Sequence, residues 1–156
     1  MLISELEPAD LLVLDTHVWV WASGEAEGPD QLDAGTLAAI EAAARSRQLF
    51  VSAASVWEIA LKAERGQVLV AGDLLSWVTE QQRYPGIRVR SIDSRLAIDS
   101  TRLPRWVRER EGQEHRDPND RFIVSTARRL NGVLVTSDVE ILAYARQAHL
   151  KAYDAR

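Results

Sequence analysis

Short apolar runs separated by longer amphipathic segments recur along the whole chain. Leu11-Leu12-Val13-Leu14 stops abruptly at Asp15. A run of this kind, without in/out alternation, predicts a strand covered on both faces. Similar runs at 48–52, 87–92, 133–136 and 150–153 predict four more strands. The segments between them carry apolar residues at helical spacing, as Leu37, Ile40 and Ala44 do within 34–46. Helices are therefore expected over a turn or two to Trp21, and over 34–46, 53–65, 73–84, 94–102, 118–130 and 139–148. A further helical turn is expected at 104–110. Gly66 stops the helix over 53–65, and Pro85-Gly86 ends that over 73–84. Residues 24–33, with Gly28-Pro29-Asp30, read as a loop, as does the polar stretch 111–116. Strands alternating with helices predict a mainly parallel sheet with helices on both faces, a three-layer α/β/α sandwich. No repeat, linker or low-complexity tract interrupts the pattern, so residues 1–156 are expected to form a single domain.

Composition changes this picture mainly by exclusion. The 46% apolar and 27% charged residues are an ordinary globular balance. There is no cysteine, which rules out disulfides, a thiolate zinc site and a cysteine nucleophile, and suits a reducing cytoplasm. Residues 1–10 carry Glu5, Glu7 and Asp10 with neither a basic start nor an apolar run, so no signal peptide is expected. No apolar stretch nears the ~18 residues needed to cross a bilayer. A net charge of −4 argues against nonspecific coating of nucleic acid. Its distribution is uneven: residues 1–47 hold nine acids against Arg45 and Arg47, and residues 88–116 hold eight arginines against five acids. An acidic part and an arginine-rich part suit a metal and a phosphate backbone, although uneven surface charge is the plainer reading.

Candidate chemistry lies in the acids. Open parallel sheets bind ligands beyond the carboxyl ends of their strands. Asp15 ends the first strand, Glu58 lies near the start of the helix after the second, Asp120 is in the first turn of the helix from Pro118, and Asp138 follows the strand 133–136. All four belong to one rim. Crowded carboxylates repel one another unless a cation neutralises them, and oxygen-only ligands suit Mg²⁺ or Mn²⁺. Each acid except one has a structural alternative. Asp138 reads as a helix N-cap, Ser55-x-x-Glu58 as a capping box, and Asp117-Pro118-x-Asp120 as a cap, first-turn proline and dipole-favoured acid. Asp15 alone has no evident cap to supply. The three histidines show no ligand spacing.

At these residues the sequence resembles the PIN-domain nucleases, in particular the VapC toxins of type II toxin–antitoxin systems. The matching segments are Leu12-x-Leu14-Asp15-Thr16-His17-x-x-x-Trp21, Ser55-x-x-Glu58-Ile59, His115-x-Asp117-Pro118-x-Asp120-Arg121 and Val135-Thr136-Ser137-Asp138. They stand in family order across roughly residues 11–153. The resemblance implies a Mg²⁺- or Mn²⁺-dependent endoribonuclease with Asp15, Glu58, Asp120 and Asp138 as the acidic metal site. Thr136 and Ser137 fall where the family places hydroxyls beside that site, and Asp117 is a cap first and a contributor second. It further implies an RNA substrate, a homodimer and a VapB-like antitoxin partner. Asn119 departs from the pattern, where a bulky apolar residue is common; local packing is expected to change there, with the acids untouched.

Arg116 and Arg121 flank Asp117 and Asp120 and are candidate phosphate contacts; a surface role or a carboxylate partner remains open for Arg121. The arginines within 102–110, interleaved with Glu109, read as a solvated helix face rather than an RNA track. His17 is expected to pack rather than to act as a general acid. Trp19, Trp57 and Trp77 lie in apolar helical patterns, so packing is expected over base stacking. Two other classes compete with the nuclease. A small phosphatase of the haloacid-dehalogenase type needs a second aspartate two residues after the first, where His17 stands. A catalytically inactive RNA- or protein-binding module would share the fold without the chemistry.

Overall fold

Leu12, Val13 and Leu14 form a strand inaccessible to water on either side, and the rest of the molecule is arranged around it. The computed structural model of the chain describes residues 6–24 and 32–156. In chain order its elements are β1 (Leu12–Leu14), α1 (Thr16–Ser23), α2 (Ala34–Arg45), β2 (Leu49–Ser52), α3 (Ala53–Glu64), α4 (Leu74–Gln81), β3 (Arg88–Arg90), α5 (Ser94–Thr101), α6 (Pro118–Leu130), β4 (Val133–Thr136), α7 (Val139–Arg146) and β5 (Ala152–Asp154). The strands make one wholly parallel sheet in the order β3-β2-β1-β4-β5. This is the expected three-layer sandwich. Of the loop expected over 24–33, residues 25–31 lie outside the described residues, as do residues 1–5. Among the described residues no helix is long and apolar enough to cross a membrane.

The strand period divides the core in two. Leu12, Leu14, Val51, Val133 and Val135 point to one face, where they meet Val18, Trp19, Ile40, Ile59 and Trp77. Val13, Phe50 and Leu134 point to the other and pack on Ile123, Val124, Ala127, Ile141 and Tyr144. Successive side chains of a strand leave on opposite faces, so a fully apolar run is what two covering layers require. Gly132 lets β4 start close to β1: a Cβ there would lie 2.9 Å from the Leu11 carbonyl oxygen. That carbonyl accepts the Val133 N–H at 2.8 Å and sets the register Leu14↔Val135.

Aspartates begin most of the helices. Asp15, Asp33, Asp73, Asp93, Asp117 and Asp138 each cap one, accepting N–H bonds that the first turn leaves free. The helical turn expected at 104–110 does not form. Val107 instead pairs antiparallel with Glu114, Gly112 turns the chain at φ +63°, and the His115 N–H donates to the Trp106 carbonyl at 2.7 Å. The outcome is a hairpin-like excursion that returns directly to the start of α6. With β1 and β4 adjacent, and the chain leaving in opposite directions from the pair, the strand order reverses between them. In such sheets a crevice opens at that switch point, beyond the strand ends.

Candidate active site

The register of β1 and β4 brings Asp15 beside Thr136. The Asp15 N–H donates to the Val135 carbonyl at 3.0 Å, and the Thr136 hydroxyl donates to Asp15 Oδ2 at 2.6 Å. Asp15 Oδ1 accepts the Thr16 N–H at 2.8 Å. Asp15 therefore does cap a helix, contrary to the sequence expectation; a strand-to-helix junction one residue long made the cap hard to see. Only 5% of Asp15 is exposed. Burial raises its carboxyl above the ordinary value, His17, Thr136 and the Thr16 amide pull it down, and the charge of Glu58 pushes it up again.

Asp138 caps α7, with Oδ1 accepting the N–H groups of Glu140 and Ile141 at 2.8 and 3.0 Å. Its own N–H donates to Thr136 Oγ1 at 3.0 Å, so one threonine hydroxyl ties both loops of the crevice. Ser137 turns to His17, its N–H lying 3.0 Å and its hydroxyl 2.8 Å from Nε2. A backbone N–H can only donate, so Nε2 is bare and the His17 proton sits on Nδ1, 3.6 Å from Asp15 Oδ2. His17 also packs edge-on against Trp21 at 4.8 Å. The expected packing role is present, together with an electrostatic one.

Glu58 is held from three sides. Oε2 accepts from the Thr16 hydroxyl at 2.7 Å and from Asn119 Nδ2 at 3.1 Å, while Lys62 lies 3.2 Å from Oε1. Ser55 Oγ stands alongside Thr16 at 2.9 Å. The capping box reading of Ser55-x-x-Glu58 fails, because Ser52 caps α3 and Ser55 is buried inside it. Asn119 does not leave the acids untouched either: its amide grips Glu58 and the Ala54 carbonyl across more than sixty positions.

Asp120 lies in the first turn of α6, its Oδ2 2.9 Å from His115 Nε2. Burial pushes its carboxyl up to about 6; the His115 contact lowers it, and the charges of Asp117, Asp15 and Asp138 raise it further. His115 is buried and stacks on Trp106 at 4.1 Å, and Trp106 stacks in turn on Tyr144 at 4.5 Å. The position of His115, five residues before Asp120 in one motif, was the only sequence signal for this contact. Asp117 caps α6 through the Asn119 N–H at 2.9 Å and stays exposed.

The charges of Asp117, Asp15 and Asp138 thus bear on Asp120, and that of Glu58 bears on Asp15. The donor set is all oxygen and hard, and Asp138 Oδ2 and Asp120 Oδ1 keep no protein partner among the described residues. Chemically this fits Mg²⁺ or Mn²⁺. Geometrically no finished cage exists: among the described residues no three acidic or histidine side chains stand together closely enough to hold one ion. Mg²⁺ tolerates this, since it keeps several waters and takes one or two carboxylates.

A model of the PIN domain family matches residues 12–147. The chain belongs to the PIN-domain family. This PIN domain is 33% identical over 127 residues to Ribonuclease VapC22 of Mycobacterium tuberculosis (strain ATCC 25618 / H37Rv), an alignment covering 81% of the chain and 86% of the relative. Among the solved structures that share its fold are these two. VapBC2 from Rickettsia felis bound to a DNA fragment from its promoter aligns with TM-score 0.56 and 16% identity, over 91% of this chain and 96% of that one. FitAcB from Neisseria gonorrhoeae aligns with TM-score 0.54 and 17% identity, over 92% and 97%.

The arginines and tryptophans of the PIN domain divide unexpectedly. Arg121 turns inward, donating from Nε to the Ser100 carbonyl at 2.9 Å and from Nη1 to the His115 carbonyl at 2.8 Å. It buttresses the site from behind instead of facing a phosphate. Arg116 is exposed, and among the described residues its one ion-pair partner is Glu114 at 3.3 Å. Trp19 and Trp77 are buried as expected and Trp106 is buried too, but Trp57 is 60% exposed. Helical spacing put Trp57 on an apolar stripe; no element among the described residues covers it.

Proposed function

We propose that this PIN domain is a metal-dependent endoribonuclease, the toxin of a VapBC-type pair. The observation that carries the reading is the placement of Asp15 and Asp138 at the ends of β1 and β4, joined through the Thr136 hydroxyl, with Asp120 near enough that burial first and their charges after it push its carboxyl up to about 6. Buried, crowded carboxylates are relieved by a bound cation. Family membership and the similarity to a ribonuclease of the VapC type support the same conclusion.

Asp15, Asp120 and Asp138 would hold Mg²⁺ or Mn²⁺, with Glu58 either joining them or orienting a water. When bound, such an ion supplies Lewis acidity toward the phosphodiester and toward water. The chain's own residues do the positioning. Thr136 fixes Asp15, and Thr16 with Asn119 fixes Glu58 as an acceptor. His115 steadies Asp120 from a stacked, dry setting, and Arg116 meets the approaching backbone. Ser137 sets the tautomer of His17 and so points its N–H toward Asp15. An antitoxin partner belongs to the same proposal, supported by the neighbour solved as VapBC2; so do a homodimeric state and a cytoplasmic setting.

A binding module without catalysis is the second reading, favoured by the fact that Asp15 and Asp138 already serve as caps. One experiment separates them. Cleavage of labelled RNA that needs Mg²⁺ and stops with EDTA supports the enzyme; RNA bound and left intact under both conditions supports the module.

A further inference from the structure

A cavity of about 630 Å³ opens directly beside the carboxylates. Ala53, Ala54, Ile92, Phe122 and the exposed Trp57 supply its apolar lining, and Glu58, Asp117, Asn119 and Asp120 its polar lining. We infer that this cavity is a base pocket, in which an unpaired base of the RNA stacks on Trp57 and offers an amino edge to Asp117 and Asn119.

Three features lead there. The first is the indole, a large flat apolar surface left in water at the mouth of the site. Bases of single strands stack on such rings whatever their sequence. The second is sign. Without an ion the acidic lining repels a phosphate, and with one the phosphate is drawn to the ion, so in either case the part of a nucleic acid suited to the apolar walls of Ala53, Ile92 and Phe122 is the uncharged base.

The third feature is the hydrogen-bonding character of the lining. Both amide hydrogens of Asn119 are committed, to Glu58 Oε2 and the Ala54 carbonyl, which leaves Oδ1 as an acceptor. Asp117 Oδ1 takes the Asn119 N–H and Oδ2 is free among the described residues. Among the described residues, every uncommitted side-chain oxygen of this polar lining therefore accepts. The indole N–H of Trp57 lies in the plane of its ring and cannot reach a base stacked on the face. Adenine, cytosine and guanine present an exocyclic amine to such a wall. Uracil brings two carbonyl oxygens around its single N–H and faces acceptors with acceptors. The pocket thus selects amino-bearing bases by leaving uracil's oxygens unpaired.

The inference deepens the nuclease reading and rests on it for the strand being cut, but its test does not depend on cleavage. Uncharged nucleosides (adenosine, cytidine and uridine) are titrated into the metal-free protein, following the Trp57 indole N–H signal by NMR, assigned through its loss in Trp57→Phe. Expected are a saturable shift with adenosine, a smaller one with cytidine, and binding at least fivefold weaker with uridine. By equilibrium binding, Trp57→Phe keeps adenosine affinity within a few-fold, Trp57→Ala weakens it about tenfold, and Leu75→Ala, also exposed but outside the pocket, leaves it unchanged. No shift with any nucleoside, or equal affinity for uridine, overturns the pocket even if RNA is cleaved. A shift produced only by an amphipathic partner helix assigns the cavity to protein and overturns it too. Adenosine binding without RNA cleavage sinks the nuclease reading and leaves the pocket standing.

Discussion

The hydroxyl of Thr136 donates to Oδ2 of Asp15 at 2.6 Å, joining residues 121 positions apart across the centre of the sheet. Because the same oxygen accepts the Asp138 N–H, this hydroxyl sets the spacing of two carboxylates. Thr136→Val keeps the shape and removes the bond, leaving a buried carboxylate oxygen short of a donor. The expected cost is about 1–3 kcal/mol in urea unfolding, together with loss of RNA cleavage, and Thr136→Ser should recover most of both.

Asp120 makes the metal-free protein less stable as pH rises. Its folded value of about 6 lies above the ordinary 3.8, so between about pH 4 and 6 the folded state holds more protons than the unfolded one. Stability therefore falls with rising pH across that window, by up to about 2 kcal/mol after discounting for partial exposure. Asp120→Asn should flatten the window and raise stability at pH 7 without metal, as read by urea titrations at pH 4.5 and 7. Added Mg²⁺ should stabilise the wild type and not the variant.

Arg121 and Arg116 should part company. Arg121→Met removes two charge-assisted bonds to the Ser100 and His115 carbonyls and should cost about 2–3 kcal/mol of unfolding free energy. Arg116→Ala should leave stability within about 0.5 kcal/mol, weaken RNA binding, and lower the salt slope by about one. Equal effects of the two on RNA affinity would contradict the division.

The strands, their parallel sense and the rim of acids were legible because each is written locally: an apolar run, a helical spacing, an aspartate at a junction. What was not legible depends on distant partners. The expected helical turn at 104–110 gave way to pairing with Glu114, since residues at helical spacing pack equally well along a returning arm that buries Trp106 under His115. Trp57 looked like core because spacing reports which face of a helix is apolar and not whether anything covers it. Asn119 looked inert because its partner, Glu58, is remote in the chain. His115 was passed over for lack of ligand spacing, yet its role is to hold a carboxylate.

Asp15 stands at the centre of the metal proposal, and its replacement by asparagine keeps the helix cap, since both residues cap well. Calorimetric titration of Mn²⁺ into wild type and Asp15→Asn, with far-UV circular dichroism to confirm equal folding, is the most direct measurement. The expected result is saturable binding to the wild type, weakened at least tenfold by the substitution. Equal binding to both proteins, or none to a folded wild type, would contradict a carboxylate-held ion.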